Sequence, residues 1–273
     1  MIFTLNEEVH IRRCLESVGW CDDLIVVDSG SVDRTEVICN EYNVRFFQHE
    51  FMGFGDQRNW ALQNASPRYP WVLILDADEY LDSPLEQEIR EIIPFVCKEI
   101  SAFRIKRRFF FWGKWLRRSA SYPVPLVRLI RLGKVYYINR GHSETQTVEG
   151  KILDLENDLI DENLKDLGEW FGRQNRYSTQ EAEYELSVEN QPLRLKEIFS
   201  GDPLSRRNVF KRVAARLPAR PLCYFLYSYF FRGGFLEGKA GLVFCLMRSI
   251  YEGMIVLKKI NLKRKRQALP QKL

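Results

Sequence analysis

The sequence has no cysteine pair in a C-x-x-C arrangement and no uninterrupted apolar run of membrane-spanning length. Its six cysteines are scattered, which argues against a zinc knuckle or redox motif and fits reduced thiols in a cytosolic protein. No apolar segment follows Met1, so we expect no secretory signal peptide. The longest apolar stretch lies near Leu222–Phe231, whereas a spanning helix needs about 20 residues.

Acidic residues are absent from residues 100–143, a stretch that holds 11 basic ones. Residues 1–99 carry 8 basic and 19 acidic side chains, and residues 203–273 carry 16 basic and 2 acidic ones. An acidic front half argues against nucleic acid as a partner, while a basic rear half favours an anionic membrane surface. We therefore expect a cytoplasmic protein, peripheral on the inner face of the cytoplasmic membrane.

Continuous apolar runs predict the fold. Residues 24–28 and 71–76 each end in an acid and are typical of buried strands in a mostly parallel sheet. Residues 44–47 predict a third strand, and helical patterns occupy residues 34–42 and 56–65. This alternation of strand and helix indicates a doubly wound, Rossmann-like α/β sheet.

The remaining chain predicts a strand at 151–160, a long polar helix at 163–186 and one or two apolar helices at 221–259. We therefore predict a catalytic domain over residues 1–162. A helical, basic C-terminal extension over residues 163–273 is expected to associate with a membrane surface or with the acceptor.

The segment Asp76-Ala77-Asp78-Glu79 follows the second apolar run. Ligands of such sheets bind beyond the carboxyl ends of the strands. Two carboxylates two residues apart can share Mg²⁺ or Mn²⁺ with a diphosphate, and the cation then stabilises charge on the leaving diphosphate. The alternative is an acidic loop that only solubilises the strand end.

Two further turns carry polar side chains that suit a ligand. Beyond Asp28, whose carboxylate can accept from a base N–H, Gly30 permits a tight turn and Ser31 or Asp33 can cap the next helix. The turn at residues 53–59 brings in Arg58, whose guanidinium matches phosphate geometry. An ordinary strand–turn–helix connection and a surface arginine explain the same residues.

Four motifs in order closely resemble glycosyltransferase family 2, which has the GT-A fold. The resemblance covers about residues 1–180, and the most similar subgroup is the lipopolysaccharide-core heptose β-1,4-glucosyltransferases. It implies an inverting hexosyltransferase with UDP-glucose as the nucleotide-sugar donor and a lipopolysaccharide-core or other cell-envelope glycolipid as the acceptor. The motifs are Thr4-Leu5-Asn6-Glu7-Glu8, Asp28-Ser29-Gly30-Ser31-x-Asp33-x-Thr35, Gln57-Arg58-Asn59 and Leu75-Asp76-Ala77-Asp78-Glu79.

The resemblance also assigns residues to the nucleotide. It implies that Thr4, Leu5 and Glu7 line the base and ribose. It further implies that Asp28 binds the uracil ring, with Ser31 in the same loop.

For the diphosphate and the metal, the resemblance implies that Arg58 lies beside the diphosphate. Asp76 is expected to contact ribose or metal, and Asp78 to ligate the metal directly. Where relatives carry a histidine this chain has Asp161, which can ligate Mg²⁺ or Mn²⁺ or only cap the following helix. Arg176 either helps to hold the diphosphate or belongs to a solvated helix face.

An inverting transfer by single displacement needs one general base. Similar enzymes show a His-Glu pair here, and this chain has Gly141-His142-Ser143-Glu144. Glu144 is the candidate base because its carboxylate is ionised near neutrality. His142 is expected to support it by a hydrogen bond or to contact the acceptor. The structural alternative is a glutamate at the end of a loop.

Residues 106–118 mix basic side chains with large aromatic ones. This mixture suits a membrane interface or a phosphorylated sugar acceptor. It also fits single-stranded nucleic acid, or a strand pair with aromatic residues in the core and basic residues in solvent. The cluster Lys263–Arg266 after the last apolar helix repeats the theme, since each basic residue near an anionic leaflet contributes about 1 kcal/mol.

Two other function classes remain open from the residues. A nucleotidyltransferase also combines an α/β sheet with carboxylate-bound metal, but it would usually carry a Gly-rich, basic loop where this chain has Thr4–Glu8. A non-catalytic, membrane-associated binding protein on the same fold is the second alternative.

Overall fold

A computed structural model describes residues 1–141, 143–189 and 219–268 of the chain. The chain divides into a mostly β unit, Met1–Lys165, and a helical unit, Asp166–Leu273. This division falls after Lys165, whereas the sequence-based domain boundary follows residue 162.

The described part of the first unit has twelve strands and four α-helices. In chain order the strands are β1 (Ile2–Thr4), β2 (Leu24–Asp28), β3 (Val44–Gln48), β4 (Trp71–Leu73), β5 (Leu75–Asp76), β6 (Glu79–Tyr80), β7 (Ile100–Phe111), β8 (Lys114–Trp115), β9 (Pro125–Arg131), β10 (Val135–Arg140), β11 (Ser143–Val148) and β12 (Lys151–Glu162). The helices are α1 (Ile11–Ser17), α2 (Thr35–Cys39), α3 (Phe54–Asn64) and α4 (Ser83–Ile92), with a 3-10 turn at Ile93–Phe95.

This unit contains a four-stranded parallel sheet in the order β3-β2-β1-β5. Its strands are short and apolar, so Val26 and Leu75 are almost fully buried. Ile11 and Leu15 of α1 pack in the same core. The predicted mostly parallel α/β sheet is therefore confirmed.

A second, mixed sheet has the order β4-β9-β7-β12-β6, with β8 added to β7. The run at residues 71–76, predicted as one strand, is divided between the two sheets. β4 pairs antiparallel with β9, and β5 pairs parallel with β1. The chain crosses between the sheets at Ile74, whose N–H donates to the carbonyl of Arg128 at 2.7 Å.

Acidic residues of β12 pair with the basic residues of β7, because the two strands run parallel side by side. Arg104 bonds to Asp154 at 2.6 Å, while Arg108 at 2.8 Å and Lys106 at 3.6 Å both face Asp158. Each of these three cations therefore has an acidic partner within the chain, and the expectation that residues 106–118 serve an acceptor or a membrane stays a prediction.

The second unit is helical in its described part. α5 (Leu167–Ser187) begins four residues later than predicted, because the side chain of Asp166 caps it by accepting from the Glu169 N–H at 2.8 Å. Beyond residue 218 the unit continues through α6 (Arg220–Leu226), a π-helical turn (Tyr227–Phe231), a 3-10 turn (Gly234–Glu237) and α7 (Gly238–Ala268).

One helical stretch in the described part of the chain, Gly234–Arg266, is long and apolar enough to cross a membrane, and 33% of its most apolar window is buried. A core helix of a soluble protein passes the same test, so this finding is weak evidence for a span. The expectation that no segment reaches this length is nevertheless wrong. The charges that interrupt the sequence here are accommodated within the unit, for example Glu252, which pairs with Arg220.

Gly150, in the turn between β11 and β12, tests the packing of the second sheet. Its φ is +118°, and an added Cβ would overlap the Ser101 hydroxyl and lie 3.0 Å from the Glu99 carbonyl. We expect Gly150→Ala to lower the free energy of unfolding by about 1–3 kcal/mol, measured by urea titration. The control is Gly133→Ala, whose φ of +78° is also positive but whose Cβ would meet nothing within 4 Å. Equal losses in both variants would contradict the packing explanation.

Candidate active site

The carboxyl ends of β2 and β5 lie on either side of β1. Thr4 stands opposite Asp28 in one register, and Phe3 stands opposite Asp76 in the other. Ala77 then donates its N–H to the carbonyl of Phe3 at 3.0 Å, which keeps the acidic turn against the end of β1. The prediction that two acidic strand ends leave the parallel sheet at one edge is confirmed.

The turn after β2 is closed by its own hydrogen bonds. The buried Asp28 carboxylate accepts from the N–H groups of Gly30 at 2.9 Å and Ser31 at 2.8 Å, and from the Ser31 hydroxyl. Ser31 Oγ accepts from the Asn6 N–H at 2.7 Å, and Asn6 Oδ1 accepts from the Val32 N–H at 2.8 Å.

These bonds change the expected roles of two residues. Asp28 is fully buried and its carboxylate shapes the loop, so its contact with a uracil ring stays a prediction. Ser31 bonds to Asp28 and Asn6, whereas Asp33 Oδ1 accepts the N–H of Thr35, the first residue of α2, at 3.0 Å. The two residues therefore join the loop after β2 to the loop after β1.

Glu7 is held by residues from both ends of the unit. Because His10 Nε2 accepts the N–H of Leu164 at 2.7 Å, Nδ1 carries the ring proton and donates to Glu7 Oε2 at 2.6 Å. Lys165 Nζ donates to Glu7 Oε1 at 2.7 Å, across 158 residues of sequence. The sequence motifs predicted Glu7 but missed its two partners. His10 lies only three residues away, and Lys165 could not be found from a local pattern because it lies 158 positions away.

The predicted nucleotide residues Thr4 and Leu5 stand next to this network. Thr4 is buried, and its hydroxyl has no hydrogen-bond partner in the described part of the chain. Leu5 beside it is 39% exposed. A buried hydroxyl without a partner is uncommon in proteins, so this edge of the sheet offers a polar atom that a ligand can satisfy.

Asp76 lies between two arginine side chains. Arg58 Nη2 donates to Oδ1 at 3.0 Å and Arg128 Nη2 to Oδ2 at 2.7 Å. Arg128 Nη2 also donates to the buried Glu79 at 2.5 Å. Burial alone would raise the pKa of Asp76, but Arg128 and Arg58 hold that pKa far below its usual range. Burial raises the pKa of Glu79 to about 7, against the opposing charge of Arg128.

Asp78 is the acidic residue of this turn that is least engaged by cations. Among the described residues, the hydrogen bond to its side chain comes from Asn163 Nδ2, at 3.0 Å from Oδ2. No group of three or more His, Cys, Asp or Glu side chains in the described ranges is arranged to hold a metal ion. Mg²⁺ and Mn²⁺ often bind through one or two carboxylates together with substrate phosphates. The residues present therefore fit a cation held by Asp78 and a diphosphate, with Asp76 already bound by arginines.

Asp161 belongs to β12 and is buried. Arg107 Nη1 lies 2.8 Å from its Oδ2. Burial raises the pKa of Asp161 to about 8, although Arg107 opposes the shift. The alternative that Asp161 caps the following helix is wrong, since Asp166 caps α5.

Glu144 lies in β11 opposite Asn139, and its carboxylate accepts from Arg58 Nη1. Arg58, expected beside a diphosphate, therefore bonds to two carboxylates, Glu144 and Asp76. The predicted base and the acidic turn are thus brought together by one guanidinium. His142 lies outside the described residues.

Arg58 is positioned by the close packing of its helix, α3, against β10. The N–H of Gly55 donates to Asn139 Oδ1 at 2.8 Å, and a Cβ on Gly55 would lie 3.0 Å from the Asn139 backbone nitrogen. Asn59 Nδ2 donates to the Tyr137 carbonyl at 2.7 Å. A residue larger than glycine at position 55 would require α3 or β10 to give by a few tenths of an ångström. Arg176, by contrast, lies on α5 of the second unit with its side chain exposed.

Sequence reasoning also missed Arg128 and Arg107. Arg128 stands in the apolar segment Leu126–Ile130, and a charged residue inside a buried strand is the one signal that could have indicated it. Arg107 was hidden within a basic run that looked uniform. In neither case does the local sequence indicate which acidic residue pairs with the arginine.

Comparison with known proteins gives the family. The model described as Glycosyl transferase family 2 matches residues 1–150. The lipopolysaccharide core biosynthesis glycosyltransferase LpsC of Rhizobium meliloti is 28% identical, over 91% of this chain and 88% of that protein. An uncharacterized glycosyltransferase of Rickettsia typhi, RT0209, is 29% identical over 56% of this chain and 51% of its own length.

Among solved structures, the mannosyltransferase PcManGT from Pyrobaculum calidifontis, in complex with GDP-Man and Mn²⁺, matches with a TM-score of 0.51. It covers 95% of this chain and 85% of its own at 14% identity, so the likeness is one of fold. With the parallel sheet, the acidic strand ends and the matched segment of residues 1–150, the chain belongs to glycosyl transferase family 2 and is a glycosyltransferase with a GT-A fold.

Proposed function

We propose that the protein transfers glucose from UDP-glucose to a sugar of the lipopolysaccharide core, or of another cell-envelope glycan, with inversion of the anomeric carbon. The motif resemblance supports the donor class, and the similarity to LpsC, a lipopolysaccharide core biosynthesis glycosyltransferase, supports the acceptor class. The observation that carries the proposal is the contact of Arg58 with both Asp76 and Glu144, which puts a candidate base beside the acidic turn.

The donor binds at the carboxyl edge of the parallel sheet. Thr4 and Leu5 face the base and ribose, and the unpartnered Thr4 hydroxyl supplies a hydrogen bond. Glu7, fixed by its two basic partners, contributes to the same pocket. Asp28 and Ser31 act by holding the loop in shape.

Asp78 would hold a divalent cation, Mg²⁺ or Mn²⁺, beside the diphosphate of the donor. When bound, it neutralises negative charge on the leaving diphosphate. Asp76 stays ionised between its arginines, and Arg58 presents cationic charge at the place where the diphosphate arrives.

Glu144 takes the proton from the acceptor hydroxyl as that oxygen attacks the anomeric carbon. A single displacement of this kind inverts the configuration and needs one base. In the donor-free enzyme Arg58 holds Glu144. We propose that the diphosphate competes for Arg58, which releases the carboxylate toward the acceptor.

Family membership disfavours both alternatives from the sequence. A nucleotidyltransferase does not follow from a match to glycosyl transferase family 2. A binding protein without activity leaves unexplained why Glu144 and the acidic turn share one guanidinium.

We also propose that the protein is cytoplasmic and binds the anionic inner face of the cytoplasmic membrane through its second unit. Phe230, Phe231 and Leu236 are 54%, 86% and 57% exposed, although all three are apolar. Exposed aromatic residues next to basic ones suit the headgroup region of a bilayer. Exposed basic side chains at Lys263–Arg266 add attraction to anionic lipid.

Glu144→Gln tests the base. We expect the variant to fold and to bind UDP, while the rate of glucose transfer falls about 10²–10⁴-fold because no group takes the acceptor proton. Transfer is measured as UDP release with and without acceptor. The control is Glu149→Gln, an exposed glutamate paired with Lys134, which should transfer at the wild-type rate. Full activity of Glu144→Gln would remove the base assignment.

Asp78→Asn tests the cation. The amide keeps an oxygen for Asn163 but loses the charge that a divalent ion needs, so activation by Mn²⁺ or Mg²⁺ should fall at least tenfold in UDP-release assays. Asp154→Asn, at an exposed ion pair with Arg104, is the matched control. Wild-type activity that persists in chelator would contradict the cation itself.

Phe231→Ser tests the membrane surface. Burying a phenylalanine is worth roughly 1.5–3 kcal/mol, so binding to phosphatidylglycerol-containing vesicles should weaken about tenfold or more in sedimentation assays. Phe95→Ser is the control, because Phe95 is 87% exposed in the first unit and should leave binding unchanged. Equal binding by wild type and Phe231→Ser would remove this surface from the proposal.

A further inference from the structure

Arg128 lies where the chain crosses between the two sheets. β4 ends at Leu73 and β5 begins at Leu75, so Ile74 alone separates the mixed sheet from the parallel one. The N–H of Ile74 donates to the carbonyl of Arg128 at 2.7 Å. The backbone of Arg128 therefore fixes the point at which the strand leads into the acidic turn.

The side chain of Arg128 then follows the chain across this point. Its Nη2 donates to Asp76 at 2.7 Å and to Glu79 at 2.5 Å. Glu79 in turn accepts the N–H of Asp76 at 3.0 Å. The first and last residues of the turn Asp76–Glu79 are thus tied to one nitrogen, with Asp78 between them.

The Arg128 side chain is too buried to contact the donor directly. The Arg128 side chain is 4% exposed, whereas the Asp76 side chain is 33% exposed. Arg128 Nε is also buried and has no hydrogen-bond partner in the described part of the chain. A guanidinium enclosed in this way reaches the donor only through the residues it holds.

We propose that Arg128 is a positioning residue that holds the turn Asp76–Glu79 in the geometry needed for the donor diphosphate. This inference rests on the proposed function, because it concerns the same donor site. Arg128 acts on Asp76 by direct hydrogen bonding and on Asp78 by fixing both ends of the turn. It also supplies a positive charge between two neighbouring carboxylates, Asp76 and the buried Glu79, that would otherwise repel each other.

Lysine can replace part of this function. One nitrogen of Arg128 serves both carboxylates, so the contact is not the two-pronged fork that only a guanidinium makes. An ammonium group has three donors and can reach two acceptors, but from a shorter side chain. Arg128→Lys should therefore shift the turn slightly, and Arg128→Met should free it.

The test compares wild type, Arg128→Lys and Arg128→Met with Arg131→Met. Arg131 lies on the same strand and also has a structural role, bonding to the Ile100 carbonyl at 3.0 Å and covering the Trp71 ring. The readouts are the half-saturating concentrations of donor and acceptor, the dissociation constant of UDP by calorimetry with and without Mn²⁺, and the melting temperature.

We expect the half-saturating donor concentration and the UDP dissociation constant to rise about threefold in Arg128→Lys. A rise of tenfold or more is expected in Arg128→Met, with the acceptor constant unchanged in both. Arg131→Met should lower the melting temperature and leave the donor constants at wild-type values. If Arg128→Met does not fold, Arg128→Lys decides alone.

Donor and UDP constants equal to wild type in Arg128→Lys, in an active enzyme, would overturn the positioning role and leave the proposed function standing. The same holds if Arg131→Met shifts these constants as much as the Arg128 variants do. A wild-type protein that transfers no sugar from any nucleotide-sugar donor would instead overturn the proposed function, and this inference with it.

Discussion

The ion pairs of Asp76 with Arg58 and Arg128 are the interaction on which the site depends. Burial raises the pKa of the Asp76 carboxyl, but these two guanidiniums hold that pKa well below its usual range and keep the group charged. The same two arginines reach Glu144 and Glu79, so they link the candidate base to the acidic turn. Charge compensation, rather than exposure to water, therefore lets several carboxylates share this part of the molecule.

The junction of the two sheets explains how these charges come together. β5 pairs with β1 in the parallel sheet, while β4, only one residue earlier, pairs with β9 in the mixed sheet. The crossing brings Arg128 of β9 within hydrogen-bond distance of Asp76, the first residue of the acidic turn. An acidic turn from one sheet is thus neutralised by a basic side chain from the other. Neither sheet alone would place both charges.

Much of the fold could be predicted from local patterns. Apolar runs that end in acidic residues indicated β2 and β5, and helical patterns between these runs indicated α2 and α3. The division of residues 71–76 between two sheets could not be predicted, because both halves are equally apolar and burial leaves the same pattern in either sheet. The ion pairs of the basic residues of β7 could not be predicted for a related reason. Their acidic partners, such as Asp154 and Asp158, lie about 50 positions downstream on β12.

The sequence by itself determined the family, the parallel sheet and the edge at which Asp28 and Asp76 leave it, because strand patterns and strand-end motifs are local. Only the tertiary structure decided what those side chains do. Asp28 is turned inward by its own loop, Glu144 meets Arg58 across 86 positions, and Glu7 meets Lys165 across 158. Such contacts depend on how the strands pair, and burial makes them decisive, since a buried charge must find a partner wherever in the chain that partner lies.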